Sequence, residues 1–451
     1  MTKKSVAERR FAPLHAREAG SYVLMGFAGF ANGRFGKGIL FLCVQIAYIA
    51  YMLRYGFESI SDLFTLGTAE QGWITPEGSK IPVLQAGDNS MLCMIFGVVA
   101  LVITLLFAAL YVTNLFSARR MYDLRRQGKR LPTLLEDVDS LLNEKFHVTL
   151  MSLPVLGIVI FTLIPLVFMI LIAFTNYDKT HQPPGNLFDW VGLTNFQAML
   201  GGNQALGGTF FPVLGWTLTW AVLATVSNYL LGIILALLIN KEGIRFKRMW
   251  RTLFVITIAL PQFITLLVMR NLFNDYGPVN ELLIQLGFIT NTTRISFFNN
   301  VALARITVLL ANLWIGIPYT MLITSGILMN IPRDMYEAAR MDGASPVVIF
   351  FRITMPYVLF VTTPYLITQF IGNINNFNVI YLFTGGGPNV STFYHAGKTD
   401  LLVTWLYRLT AEVHDYSYAS TIGILVFVIS AVISLVTYRR TAAYKNEEVF
   451  S

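Results

Sequence analysis

Residues 91–116 read MLCMIFGVVALVITLLFAALYVTNLF, without a single Asp, Glu, Lys, Arg or His. A helix needs only ~20 apolar residues to cross a bilayer. In hydrocarbon no water satisfies the backbone, so an apolar run of this length must pair its own amides as a helix. Residues 419–438, ASTIGILVFVISAVISLVTY, are equally clean. Comparable runs cover about 36–53, 149–175, 213–239, 252–273, 305–328 and 353–373. The expected fold is all-α: a polytopic transmembrane helical bundle of about eight spans. Two runs are less pure. Lys37 edges the first, and the seventh ends on Asn373, Asn375 and Asn376. The earlier stretch GSYVLMGFAGFA, 20–31, is too short to span and suits an interfacial or re-entrant segment. It lacks the small-residue ending of a cleaved signal peptide, so the N-terminus is expected to be retained.

Composition agrees with this reading. Of 451 residues, 55% are hydrophobic and 13% charged, about half the ~25% usual in soluble domains. The longest hydrophilic stretches, about 54–90, 176–212 and 374–418, are each too short for an independent domain. Lysine and arginine then set the orientation. With both ends in the cytoplasm, inside segments carry 25 of these residues and outside loops carry 6. The formal net charge of +8 is therefore a topology signal, and no nucleic-acid partner is expected. The expected division is 1–148, an N-terminal cytoplasmic segment with two additional spans and a basic loop; 149–440, a six-span domain; and 441–451, a cytoplasmic tail.

Several chemistries lack their residues. There is no phosphate-binding G-x-x-x-x-G-K-[ST] loop and no His/Cys cluster for a metal. Neither a catalytic residue nor a metal ligand is expected. Cys43 and Cys93 lie in apolar runs and read as small buried hydrophobes. Asp and Glu are missing from the span centres, where ion-coupled carriers usually keep a charge for function. Asn, Gln, Thr, Tyr and Trp are present instead. Neutral amides beside aromatic rings suit a neutral polyhydroxylated ligand. The competing reading of any one such residue is hydrogen bonding between helices. In the last outside loop, Asp400, Glu412, His414 and Asp415 cluster, and a solvated loop is the expected explanation.

The expected cytoplasmic loop 329–352 reads MNIPRDMYEAARMDGASPVVIFFR, followed by ITMPY. Pro332 can open a helix, the run Arg333–Met341 holds good helix formers, and Gly343 can end it at positive φ. Ala338 and Ala339 give a small-residue face, and Glu337, Arg340 and Asp342 supply charges that can set register. The plain alternative is an ordinary helix–turn joining two spans.

The spacing Glu337-Ala338-Ala339, Gly343, Ile353, Pro356 resembles the EAA motif of membrane subunits of binding-protein-dependent ABC importers. Met355 stands where that pattern has leucine, a swap that keeps apolar volume. DWVGLTNF at 189–196, NNFNVIYLFTGGGP at 375–388 and TDLLVTWLYRLTAEVHDYSYAS at 399–420 resemble sugar permeases of the maltose type. The likeness covers roughly 149–440, and two extra N-terminal spans also suit that subunit. Where the Gram-negative form carries a large external domain, this chain has only the loop 176–212, like the shorter Gram-positive form.

The resemblance implies a type I importer permease fold in the bacterial cytoplasmic membrane. It also implies partners: a second permease subunit, a dimer of cytoplasmic ATPases that binds the ATP, and an extracellular sugar-binding protein. The chain itself would bind no cofactor. Glu337, Ala338, Ala339, Asp342, Gly343 and Pro356 would form the coupling element against the ATPase. Matched residue by residue, the sugar contacts would be Gln262 on the fifth span, and Asn312, Ile315, Gly316 and Tyr319 on the sixth. The seventh would add Gln369, Asn373 and Asn376. Ile258 falls where the maltose-type subunit has tyrosine. Independently of the resemblance, Gln369, Asn373 and Asn376 stand at i, i+4, i+7, one face of a helix. Amides donate to and accept from hydroxyls, and a tyrosine ring can stack on a pyranose face. The expected substrate is an oligosaccharide such as a maltodextrin. The rival readings are a stand-alone secondary sugar carrier, a permease for another solute class, and a polytopic membrane enzyme.

Overall fold

A computed structural model describes residues 16–75, 81–241 and 243–439. The basic residues before Ala16, His15 among them, and the tail 441–451 lie outside the described residues. Contacts divide the chain into two compact units, Met1–Val191 and Gly192–Ser451.

The first unit is built on α1 (Phe35–Thr65), α2 (Ser90–Arg126), α3 (Leu134–Leu142) and α4 (Phe146–Ile172). The third expected span, α4, thus belongs to this unit. Each helix starts for a local reason. Asn89 accepts from the amides of Met91 and Leu92 at the head of α2. Thr133 and Glu136 exchange bonds as a capping box at the head of α3. Lys37 pairs with Asp137 at 2.6 Å, tying α1 to α3. The segment 20–31 is not a span. It forms short helical turns folded onto α2, where the Gly26 amide donates to Asn114 Oδ1 at 2.9 Å. A small antiparallel hairpin, β1 (Gly72–Ile74) with β2 (Val83–Gln85), pairs Trp73 with Leu84 in the loop after α1.

The second unit contains α5 (Gln204–Asn240), α6 (Lys247–Ala259), α7 (Gln262–Leu272), α8 (Val301–Leu328), α9 (Arg333–Met341), α10 (Pro346–Ile374), α11 (Leu402–Arg408) and α12 (Tyr416–Arg439). Asn203 and Asn300 cap α5 and α8 as Asn89 caps α2. Seven helices in the described residues are long and apolar enough to cross a membrane. The fifth expected span, 252–273, is broken: α6 and α7 meet at 93°. Pro261 explains the break. Leu260 before it is extended, φ −76° and ψ 132°, because a residue preceding proline disfavours the helical region.

Proline also marks two milder defects. A π-turn at Val159–Leu163 precedes Pro165 in α4, and another at Phe350–Thr354 precedes Pro356 in α10. In both, the ring cannot donate and crowds the carbonyl four residues back, so the helix widens by one residue. The outward faces are apolar: Phe161 is 81% exposed and Leu53 74%. Cys43, expected to be buried, lies exposed on α1 while Cys93 is half-buried, because a lipid-facing helix side needs apolarity without internal packing. These faces suit lipid, not water.

Helices α5 and α8 pack most closely. A Cβ at Gly232 would lie 2.5 Å from Thr320 Cβ, so only glycine permits this approach. The segment after α10 corrects the solvated-loop expectation. Asp400 is 1% exposed and Asp415 5%. Asp400 pairs with Arg408 at 3.0 Å. It also accepts from the Gly397 amide at 2.7 Å and the Thr404 hydroxyl at 2.8 Å. Burial pushes its carboxyl up, opposed by the Arg408 guanidinium and these two donors. Gly386, at φ +81°, leaves space that a Cβ would take from the carboxylate. Trp216 and Trp405 donate their indole N–H groups to Thr399 O and Tyr394 O, which fastens the segment to α5 and closes α11 over it. Glu412 and His414, by contrast, do not join the buried pair; Glu412 reaches only the outer side of Arg408, at 3.6 Å.

Candidate functional site: an uncharged cavity and a helix below it in the chain

A cavity of about 190 Å³ opens between α5, α7, α8 and α10. All eight residues singled out as sugar contacts line it: Gln262, Asn312, Ile315, Gly316, Tyr319, Gln369, Asn373 and Asn376. The bend at Pro261 places Gln262 there, because it makes Gln262 the first residue of α7. Asn312, Ile315, Gly316 and Tyr319 share one face of α8 by their three- and four-residue spacing. Asn312 and Asn373 are buried, whereas Tyr319 is 47% exposed.

The amides are partly tied to one another. Asn373 Nδ2 donates to Thr225 Oγ1 at 2.9 Å. Asn376 donates to Asn373 Oδ1 at 3.3 Å, and its own Oδ1 caps the short helix Phe377–Val379. Gln262 Oε1 accepts from Asn378 at 3.4 Å. These bonds orient the side chains and leave polar capacity facing the cavity.

The cavity also has a wall that sequence reasoning missed. Thr225, Asn228 and Tyr229 enter from α5, Thr320 from α8, and Tyr365 and Leu366 from α10. Thr320 Oγ1 meets Tyr365 OH at 3.4 Å, and Tyr229 OH meets Thr362 Oγ1 at 2.6 Å. Thr225, Asn228 and Tyr229 stand at i, i+3, i+4, a polar stripe within an apolar span. That stripe was the available signal. No lining residue is Asp, Glu, Lys, Arg or His.

The second predicted element is α9. It runs Arg333–Met341 after Pro332, as the loop sequence predicts. Its end is a Schellman arrangement. The Ala344 amide donates to Ala339 O at 2.9 Å and the Gly343 amide to Arg340 O at 3.0 Å. Gly343 stands at φ +75° with open space around it, so conformation, not crowding, demands glycine. Glu337, Ala338 and Asp342 are exposed, and Ala339 is half-buried. On the other face, Tyr336 OH reaches Thr354 Oγ1 at 3.2 Å. That bond joins α9 to the π-turn of α10. Pro356 follows the turn inside α10 and is exposed.

A family described as binding-protein-dependent transport system inner membrane component matches residues 228–442. The galactooligosaccharides transport system permease protein GanP of Bacillus subtilis (strain 168) is 37% identical to this chain. That match spans 430 residues, 94% of this chain and 97% of GanP. The chain belongs to this family. Being a member, it is an integral protein of the cytoplasmic membrane, consistent with its spans. The maltodextrin transport system permease protein MdxF of the same organism is 34% identical, over 95% of this chain and 96% of MdxF. A solved bacterial ABC transporter involved in the import of the acidic polysaccharide alginate shares the fold. It aligns with a TM-score of 0.53 at 21% identity, over 67% of this chain and 96% of its own.

Proposed function

We propose that this chain is a permease subunit of an ATP-driven importer and carries a neutral oligosaccharide across the cytoplasmic membrane. One observation carries the reading: the residues expected to contact sugar converge on one cavity that has amides, hydroxyls and rings but no charge. Hydroxyls both donate and accept, and amides match them without the cost of burying an ion. The lack of charge favours a neutral sugar over an acidic one. Similarity to permease proteins named for galactooligosaccharides and for maltodextrin supports the same class.

The chain works with partners in this reading. A second permease subunit completes the pathway. Two copies of a cytoplasmic ATPase bind and hydrolyse the ATP, and an external binding protein delivers the sugar. Both termini lie in the cytoplasm, as the lysine and arginine distribution requires. The exposed face of α9 meets the ATPase: Glu337 makes a charged contact, Ala338 and Ala339 permit close approach, and Asp342 with Gly343 ends the helix. Movement of α9 passes to α10 through the Tyr336–Thr354 bond and the π-turn before Pro356. Coupling needs such an element with two arrangements that both sites bias.

Reconstitution tests the proposal. The complete transporter in vesicles should take up maltotriose or β-1,4-galactobiose when ATP and a loaded binding protein are supplied. Uptake by this chain alone, driven by an ion gradient without ATPase, would instead establish a secondary carrier.

A further inference from the structure

We propose that Asn228, on α5, is a direct sugar ligand, and that it acts with Asn312 as an acceptor–donor pair for neighbouring sugar hydroxyls. This inference rests on the oligosaccharide reading above and adds a fourth helix to the three that sequence comparison singled out.

Two polar atoms at the cavity lack partners among the described residues. They are Asn228 Oδ1 and Asn312 Nδ2, each with essentially no solvent access. Both residues line the cavity. One atom accepts and the other donates. A buried polar group without a partner is costly, and a native protein keeps one where something else supplies the bond. The two lie close. The Asn228 amide packs so near Gly316 that a Cβ there would fall 2.1 Å from Nδ2 and 2.6 Å from Oδ1. Gly316 stands four residues from Asn312, one turn along the same face of α8. The missing side chain at Gly316 therefore makes the seat in which the Asn228 amide rests, one turn from Asn312.

A pair of neighbouring hydroxyls satisfies both atoms. One hydroxyl donates its proton to Asn228 Oδ1, and the other accepts from Asn312 Nδ2. An ionised carboxylate can accept from Asn312 but has no proton to donate to Asn228 Oδ1. The pair thus favours a ligand that presents neighbouring hydroxyls over one that presents only an ionised carboxylate at this seat. A single ordered water could fill the seat instead, and the test separates the two.

The assembled transporter is prepared with Asn228→Ala and, separately, Asn228→Leu, beside Asn376→Ala as a reference. Uptake kinetics use whichever of maltotriose and β-1,4-galactobiose the unmodified transporter carries, with a set of its mono-deoxy analogues. We expect both Asn228 variants to assemble and to lose about tenfold or more in uptake efficiency. Wild type should also discriminate against at least one deoxy analogue, and that discrimination should collapse in Asn228→Ala. Two outcomes would overturn the inference while leaving the wider reading intact. One is unchanged kinetics in both Asn228 variants while Asn376→Ala is impaired. The other is lost uptake with the deoxy discrimination retained, which marks a structural or water-filled seat. Normal uptake by all three variants would overturn both the inference and the cavity as the sugar path. Transport of neither probe by wild type would overturn the maltodextrin- or galactooligosaccharide-type substrate on which the inference rests.

Discussion

The cavity and the segment that follows α10 bury polar side chains in opposite ways. In the segment, Asp400 is saturated: Arg408, the Gly397 amide and the Thr404 hydroxyl all reach it. In the cavity, Asn228 Oδ1 and Asn312 Nδ2 are left without partners among the described residues. Both regions lie in the second unit. The difference separates polarity used for architecture from polarity kept for a ligand. A charge that must stay buried needs every bond made within the chain. An amide that recognises a passing solute must keep capacity free, and neutrality makes the interim cost bearable.

The sharpest way to break this contrast is Arg408→Ala. It leaves Asp400 buried and unpaired, which should cost about 3–5 kcal/mol. A marked fall in the apparent melting temperature of the purified transporter is expected. No shift would mean the pair is not structural. The reverse case is Asn376→Ala. It removes a cavity amide and the small cap on Phe377–Val379, for about 1 kcal/mol of stability. Uptake should fall about fivefold or more, while sugar binding by the external protein is unchanged. Unaltered uptake kinetics would count against the cavity as the sugar path.

The helix α9 supplies a third kind of position, where the backbone alone makes the demand. Gly343→Asp places a side chain at φ +75°, at a cost of roughly 1–2 kcal/mol. ATP hydrolysis should be uncoupled from uptake at normal membrane levels, and Gly343→Asn should be milder because asparagine visits this region more readily. Normal uptake by the aspartate variant would sink the coupling assignment. The smallest effect belongs to Tyr319→Phe. It keeps the ring and removes one hydroxyl from a half-exposed site, so the apparent KM should rise only a few-fold. A collapse of uptake would show the hydroxyl, not the ring face, to be the recognition element.

Much of this was legible in the chain. The clean run at 91–116 required a span, because lipid offers the backbone no partner. The bounds of α9 were readable, since Pro332 and Gly343 act within one helical turn. The spacing of Gln369 and Asn373 announced a polar face on α10, but that helix ends at Ile374, and Asn376 reaches the cavity as the cap of the short helix Phe377–Val379 and not from the same helix face. Other features were hidden for a physical reason. Pro261 marks a break, but the 93° angle is set by what α6 and α7 pack against. Asp400 and Arg408 look like any solvated loop charges until Trp216, Trp405 and the glycines around Gly386 are folded over them. The hairpin Gly72–Ile74 with Val83–Gln85 is too short to stand out from its loop.

The sequence by itself determined how many segments must leave water, where α9 begins and ends, and that the membrane interior would hold amides rather than ions. These follow from local rules: hydropathy over one span, caps over one turn, and the periodicity of a single helix. Only the tertiary structure decided that Asn228 faces Gly316, that the stripe on α5 joins the cavity, and that Asp400 is a saturated internal charge. Each of these depends on a residue from a distant part of the chain, and no local pattern encodes which two helix faces will meet.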